Sequence, residues 1–518
     1  MNTDVDSNLW QAFEKVARSR LDSTAIECGT QSLTFGELLH RAERCAHWLE
    51  GRAVRSGDVV ALQLPKQLET YCLWLSCLRQ GAVYVFVDPA NPPERTRRIL
   101  DRTRPALLVA AETENPFGAT VRPGELQLLL SQPAPDEPWS MVSPARSHGL
   151  SPAYIMFTSG STGEPKGAVI PHQGVLGLMA WVRSLIGDVS EHRFSNLNPL
   201  HFDNAVFDLY GGLLNGATLV AVETGASHNP LAWAKRLRAR DASVVFAVPT
   251  LFLTLAQLHL LTPASLPGVK FFLFGGEGFP IGALKQFHAS FKERARLINV
   301  YGPTETSCIC SSLEVDASAL DASGSGFISL GRMHSGFEHL ILDPDRHPCT
   351  DGLAGELWIG GANVGLGYFN NPVETERRFV QDPRQACYRS IWYRTGDLVR
   401  QDSVGLLWFL GRADNQVKIR GHRIELEEID LAVESFAGIT RAVAVLHQGR
   451  DGPEIRVAFS ASDTISENLL RIHCQEALPK YMQPARLVHV RVVPQNASGK
   501  ADRRAVVDLI ASDGAPVQ

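Results

Sequence analysis

The sequence has no long apolar run, no Cys-x-x-Cys pair and no surplus of positive charge. A membrane helix needs about 18 consecutive apolar residues, and no run here approaches that length. The nine cysteines are scattered and odd in number, and Cys308 and Cys310 stand only one residue apart. Such usage argues against a disulfide framework or a zinc site and suits reduced, mostly buried thiols. A net charge of −5 removes the case for nucleic acid or an anionic membrane as the main partner. The opening MNTDVDSNLW lacks the basic stretch and apolar core of a secretion signal, so a cytoplasmic location is expected. No Ser/His/Asp grouping for a nucleophilic mechanism stands out either.

What is present is an alternation of helical and strand signals. Thr34-Phe35-Gly36-Glu37 has capping-box spacing, and Leu38, Leu39, Ala42, Cys45, Ala46 and Leu49 follow at helical intervals. Short apolar runs then recur: VVALQL (59–64), VYVFV (83–87), LLVAA (107–111), AYIMF (153–157), TLVAV (218–222), SVVFAV (243–248), KFFLF (270–274) and LINVY (297–301). Runs this short, rich in Val, Ile and Phe and separated by helix-like segments, predict an α/β fold whose mainly parallel sheets are covered by helices. The texture changes near GRADNQVKIRGHRIELEEID (411–430). Beyond it lie RAVAVL (441–446), EIRVAFSA (454–461) and RLVHVRVV (486–493) around one helical segment, SENLLRIHCQEAL (466–478). The chain is therefore divided into a large domain over residues 1–410 and a small mobile α+β domain over 411–518. The Pro-rich stretch QPAPDEPWSMVSP (132–144) reads as a loop inside the large domain.

TSGSTGEPKG (158–167) directly follows the strand signal AYIMF. A Gly/Ser/Thr loop leaving a strand exposes backbone N–H groups and hydroxyls that can wrap phosphate oxygens, and a lysine adds a point charge. The order is not that of a Walker A loop, because Lys166 sits between Pro165 and Gly167. Composition alone leaves a phosphate loop and a solvated polar loop as alternatives.

The order of residues resembles the phosphate-loop signature of the adenylate-forming superfamily, which includes acyl-CoA synthetases, luciferases and the adenylation domains of nonribosomal peptide synthetases. The resemblance extends over nearly the whole chain and is strongest to the amino-acid-activating adenylation domains. It implies ATP and Mg²⁺, an acyl-adenylate intermediate, and transfer to a thiol. By the same resemblance Thr158, Ser159, Gly160, Ser161, Thr162, Gly163 and Lys166 would cradle phosphate. In NVYGPTE (299–305), Asn299 would contact the adenine edge, Tyr301 would stack on the ring with Gly302 beside it, Thr304 would touch phosphate and Glu305 would hold Mg²⁺. Gly276 and Glu277, in FGGEG, match the stretch lining the adenine pocket. Asp397, which ends YRTGD, would accept from both ribose hydroxyls. Arg412 would reach the nucleotide, and Asp414 would be the hinge of the small domain. Gly421 would help form a passage for a pantetheine arm, and Lys500 in SGKADRR would be the catalytic lysine for adenylation. Read without the resemblance, these motifs are a Gly-Pro turn, a turn aspartate and solvated lysines.

PLHFDNAVFDLYGGLLNGATL (199–219) bears on the substrate. In amino-acid-activating members the aspartate of the Phe-Asp pair binds the α-ammonium, and Asp203 occupies that position; the other reading is an N-capping aspartate. His201 corresponds to the residue gating the acyl group. The remaining pocket positions would be Asn204, Phe207, Leu251, Leu273, Gly275, Val300, Cys308 and Ile309, which suggest a small to medium neutral side chain. Asn91, Leu366 and Ser498 depart from the family pattern, the last beside the lysine loop. A stand-alone adenylation enzyme acting on a carrier protein in trans is expected, with neither nucleic acid nor membrane as partner. The rival readings are a D-alanine–carrier-protein ligase, an acyl- or aryl-CoA ligase, and an inactive nucleotide-binding scaffold. The last would have lost Glu305, Asp397 or Lys500, and all three are present.

Overall fold

The computed structural model describes residues 6–131, 147–160, 162–222, 229–323, 326–350, 352–449, 452–462, 464–495 and 501–510. The Pro-rich stretch at 132–144, Ser161 and Lys500 lie outside the described residues. The chain forms two compact units. One gathers Met1–Pro89, Thr103–Met156 and Gly167–Ala413; the other gathers Ala90–Arg102, Phe157–Lys166 and Asp414–Gln518. The passage between units falls at Ala413/Asp414, three residues beyond the division read from the sequence, and the segment Phe157–Lys166 groups with the second unit.

The first unit is built on three sheets. A nine-stranded sheet runs in the order Arg332–Met333, Ser311–Glu314, Arg296–Tyr301, Phe271–Gly275, Val244–Ala247, Arg193–Asn196, Thr218–Ala221, Thr24–Cys28 and Gln31–Thr34. Its six central strands are mutually parallel, and the edges turn antiparallel. Side chains alternate between its faces, as the pleat requires. Phe271 and Leu273 enter one apolar cluster while Phe272 and Phe274 enter another, and Val244/Phe246 and Val245/Ala247 divide in the same way. A six-stranded sheet, ordered Ala119–Val121, Leu107–Ala110, Val59–Gln63, Val83–Phe86, Pro152–Thr158 and Lys166–Pro171, of which Phe157, Thr158 and Lys166 are grouped with the second unit, supplies Val60, Leu62, Tyr84 and Phe86 to the first of those clusters. The third sheet is antiparallel, with five strands between Glu338 and Arg412. All eight apolar runs singled out in the sequence are strands. The expected capping box is also formed: Thr34 N–H donates to Glu37 Oε2 at 2.8 Å and Glu37 N–H donates to Thr34 Oγ1 at 3.2 Å.

The second unit has a three-stranded sheet of Ile439–Gly449, Gly452–Ala461 and Arg486–His489. Ala442 and Ala444 face the helices Leu426–Glu434 and Glu467–Ala477, whereas Val443 and Val445 face Arg503–Ile510. Two of these three helices were not anticipated, because Leu426–Glu434 lies within a charged motif and Arg503–Ile510 follows the lysine loop. No helix among the described residues is long and apolar enough to cross a membrane, and all nine cysteines are free.

One buried contact makes the first unit sensitive to acid. His172 Nδ1 accepts the Leu9 N–H at 3.2 Å, which requires a neutral ring. Burial, with a smaller contribution from His148, lowers the His172 pKa to about 4. A folded-state value below the unfolded one contributes stability that is full above about pH 6.5 and is lost as pH falls toward 4. Thermal midpoints measured from pH 7 to pH 4 should fall less steeply for His172→Gln than for wild type, a difference worth roughly 3 kcal/mol.

Candidate active site

In the nine-stranded sheet the six parallel strands end together, at Cys28, Asn196, Ala221, Ala247, Gly275 and Tyr301. Loops at the carboxyl ends of such strands are where open α/β sheets bind ligands. The strand Arg296–Tyr301 passes through Gly302 into a 3₁₀ turn at Thr304–Thr306. A Cβ at Gly302 would lie 2.2 Å from the Cys308 carbonyl oxygen, so only glycine permits this return of the chain. Ser307 and Cys308 then adopt φ of +59° and +82°, consecutive left-handed conformations that non-glycine residues rarely take. Such strain costs about 1–3 kcal/mol per residue and gathers at functional sites. It is held by Ser307 Oγ donating to the Asn363 carbonyl at 3.0 Å and by Cys310 N–H donating to the Tyr301 carbonyl at 2.9 Å.

This turn brings together residues far apart in sequence. Thr304 Oγ1 donates to Asp203 Oδ2 at 2.5 Å. Asp203 precedes the short helix Asn204–Val206, yet its side chain makes no capping bond to it. Tyr301 Oη donates to Asp397 Oδ2 at 2.5 Å, and Arg412 donates to Asp397 Oδ1 at 2.6 Å. Asp397 and Arg412 are register partners in the antiparallel sheet, which explains their pairing. Glu305 is fully buried and accepts from the Tyr368 hydroxyl at 2.6 Å. Asn299 Nδ2 donates to the Ser329 carbonyl at 2.8 Å, and Glu277 accepts from the Thr250 N–H at 2.8 Å and from the Thr250 hydroxyl. Gly276, before Glu277, takes a φ of +89°. His201 Nε2 lies 3.4 Å from Asp88 Oδ2.

Among the expected pocket positions, Phe207, Leu273, Val300, Cys308 and Ile309 belong to one buried cluster. Gly275 pairs with Val300, and a Cβ there would meet the Val300 carbonyl oxygen at 2.3 Å. Asn204 is half-buried. Leu251 stands apart, packed on the cluster of the opposite sheet face. Burial raises the Cys308 thiol's pKa well above its usual range, reinforced by the nearby Asp203 and Asp208 carboxylates.

Within the second unit, the segment expected to cradle phosphate is engaged by acidic residues. Lys166 Nζ lies 3.3 Å from Glu425 Oε1, with both side chains buried. Gly160 N–H donates to Glu428 Oε2 at 3.1 Å, and Arg95 donates to Glu428 Oε1 at 2.6 Å. Ser159 Oγ donates to the Arg423 carbonyl at 2.7 Å, while Arg98 donates to the Gly163 carbonyl at 3.1 Å. Thr158 Oγ1 donates to the Lys166 carbonyl at 3.5 Å across the base of the loop, and Thr162 is exposed. The loop's lysine and an amide thus already bind anionic oxygens, the donor set a phosphate needs. Asp414 begins the C-terminal segment of this unit and accepts from Gln416 N–H at 3.4 Å.

Tyr368 and Thr250, which hold Glu305 and Glu277, were missed in the sequence. A tyrosine closing the glycine-rich GANVGLGY was the available signal for the first. Thr250 follows a strand and a proline and offered none.

Chain comparisons place this geometry among known proteins. Tyrocidine synthase 3 of Brevibacillus parabrevis is 34% identical over 510 residues, covering 97% of this chain and 8% of that protein. The anguibactin system regulator of Vibrio anguillarum is 31% identical over 514 residues, covering 97% and 47% respectively. The chain therefore spans less than half the length of either relative. Among solved structures, PA1221, a nonribosomal peptide synthetase protein containing adenylation and PCP domains, superposes with a TM-score of 0.82 at 26% identity, covering 98% of this chain and 85% of that one. IdnL1 superposes with a TM-score of 0.80 at 30% identity, covering 94% and 99%. o-Succinylbenzoate CoA synthetase of Bacillus subtilis shares the fold, with a TM-score of 0.84 at 22% identity over 97% of this chain and 98% of that one. The family model described as AMP-binding enzyme matches residues 13–369, and this chain belongs to that family.

Proposed function

We propose that the protein uses ATP to activate an amino acid as an aminoacyl-adenylate and passes the aminoacyl group to the phosphopantetheine thiol of a carrier protein in trans, in the cytoplasm. The observation that carries this reading is Asp203. Its carboxylate does not cap its own helix; it accepts instead from Thr304 in the turn after the strand Arg296–Tyr301. A carboxylate so placed suits a substrate α-ammonium, which a plain carboxylic acid does not carry.

In the first step a substrate carboxylate oxygen bonds to the α-phosphorus of ATP, and the bond from that phosphorus to pyrophosphate breaks. In the second, a thiolate sulfur attacks the acyl carbon and AMP leaves with the electron pair of the C–O bond. Both steps call for positioning and charge neutralisation more than a protein nucleophile. Asp397, oriented by Tyr301 and Arg412, would take the ribose hydroxyls. Asn299, Gly276 and Glu277 would border the adenine. Glu305 fits a hard cation, being a buried carboxylate fixed at one oxygen by Tyr368. Bound there, Mg²⁺ would neutralise phosphate oxygens. The segment Thr158–Gly163 with Lys166 would hold the departing pyrophosphate. Lys500 would bridge the substrate carboxylate and the nucleotide, on a small domain turning about Asp414.

Pyrophosphate exchange with ATP over a panel of amino acids, fatty acids and aromatic acids tests the substrate class. Exchange is expected with one or a few amino acids, D-alanine being part of the panel; exchange confined to plain acids would sink the reading in favour of a CoA ligase. Asp203→Ala should lower kcat/KM for the amino acid by roughly 30-fold to 1,000-fold, the equivalent of about 2–4 kcal/mol. Lys500→Ala should abolish adenylation while a supplied aminoacyl-adenylate is still transferred to carrier thiol. Adenylation at the wild-type rate in that variant would remove Lys500 from its role.

A further inference from the structure

The segment that carries Asp203 and Asn204 also carries a charge that the proposed reaction does not use. One turn after Asn204 the chain enters a π-helix over Phe207–Gly212, and within it Asp208 is completely buried. Wide turns of this kind are rare and recur at functional sites. Asp208 Oδ2 accepts from Asn196 Nδ2 at 3.2 Å and from Asn198 Nδ2 at 3.4 Å, and Oδ1 has no hydrogen-bond partner among the described residues. Asn198 Nδ2 also donates to the Phe246 carbonyl, at 3.0 Å.

The balancing charge comes from a distant part of the chain. Lys66, buried beyond the end of the strand Val59–Gln63, donates from Nζ to the carbonyls of Asn196 and Leu197 at 2.8 and 2.9 Å. Tyr71 Oη donates to Asn196 Oδ1 at 2.7 Å. Burial lowers the Lys66 pKa to about 7 and raises that of Asp208 well above the usual carboxylate range; attraction between the two partly offsets both shifts. A buried pair of this kind is a poor source of stability, since well-packed apolar residues often serve as well or better. Its geometry suggests another use. Lys66 fixes the backbone where the strand Arg193–Asn196 ends, Asn198 ties Asp208 to the neighbouring strand, and Asp208 belongs to the segment leading from the substrate residues.

We propose that Lys66 and Asp208 are positioning residues for the acyl substrate: through Asn196 and Asn198 they set the rotation of residues 203–212, and hence the bearing of Asp203, Asn204 and Phe207. The inference rests on the assignment of Asp203 and its neighbours to substrate binding. Because the nucleotide-side residues Asp397 and Arg412 lie outside this network, its loss acts on the acid and spares ATP.

Steady-state pyrophosphate exchange with whichever acid the wild-type protein activates best supplies the test. Lys66→Met and Asp208→Asn should each raise the acid KM at least about tenfold and leave the ATP KM within about twofold, whereas Lys66→Arg, which retains donors for both carbonyls, should recover most of the loss. The double variant Lys66→Met/Asp208→Leu removes both charges. Its thermal midpoint should match or exceed that of wild type while its acid KM stays raised. A folded double variant with a wild-type acid KM would show the pair to be structural only, as would single variants whose acid and ATP KM values rise in parallel. Should the single variants not fold, the double variant and Lys66→Arg decide. A wild-type preference for an acid without an amino group would overturn the amino-acid reading and leave this comparison intact.

Discussion

Phe271 and Leu273 point into one apolar cluster and Phe272 and Phe274 into the other, so the strand between them has no face on which a charge could meet water. The same two-sided burial holds for Val244–Ala247 and its neighbours. An uncompensated charge in such a layer would cost several kcal/mol, by an order-of-magnitude reckoning. Glu277 and Glu305 accordingly stand where the chain leaves this sheet. Gly275 ends one strand and Gly276 and Glu277 follow it, Gly302, Thr304 and Glu305 follow the next, and Asn196 ends a third. The sheet does no chemistry, but it dictates where chemistry can be put.

At those strand ends, polar groups are satisfied by one another across long sequence separations. Tyr301 and Arg412 share the two oxygens of Asp397. Tyr368 holds Glu305, and Thr304 holds Asp203. Each contact fixes the orientation of a carboxylate, the preorganisation that the proposed reaction would need. Two consecutive left-handed residues, Ser307 and Cys308, are tolerated in the same turn because Gly302 and Asn363 lock the chain on either side.

Much of the fold was legible because the physical signals were local. Eight apolar runs of strand length became strands, and Thr34 and Glu37 close a capping box from four consecutive residues. The antiparallel sheet between Glu338 and Arg412 was not anticipated. Its first strand, Glu338–Leu342, has only one fully buried residue, so it carries no clear alternation. The helix Leu426–Glu434 was hidden in a motif rich in charge, yet Glu428 is buried against Arg95. The site motifs were recognisable as ordered strings; Phe207, Leu273, Val300, Cys308 and Ile309 share one buried cluster, whereas Leu251 packs on the opposite face of the sheet.

The sequence by itself determined the class of fold, the eight strands that read as apolar runs and the identities of the motif residues, since these depend on spacing along the chain. It also sufficed to place the chain in its family. Only the tertiary structure decided partners. That Asp203 meets Thr304 instead of capping its helix, that Lys166 is held by Glu425, and that Lys66 and Asp208 share one buried network are all contacts between segments far apart in sequence. A carboxylate's role depends on which donors and charges surround it in space, and no local pattern of residues encodes that neighbourhood.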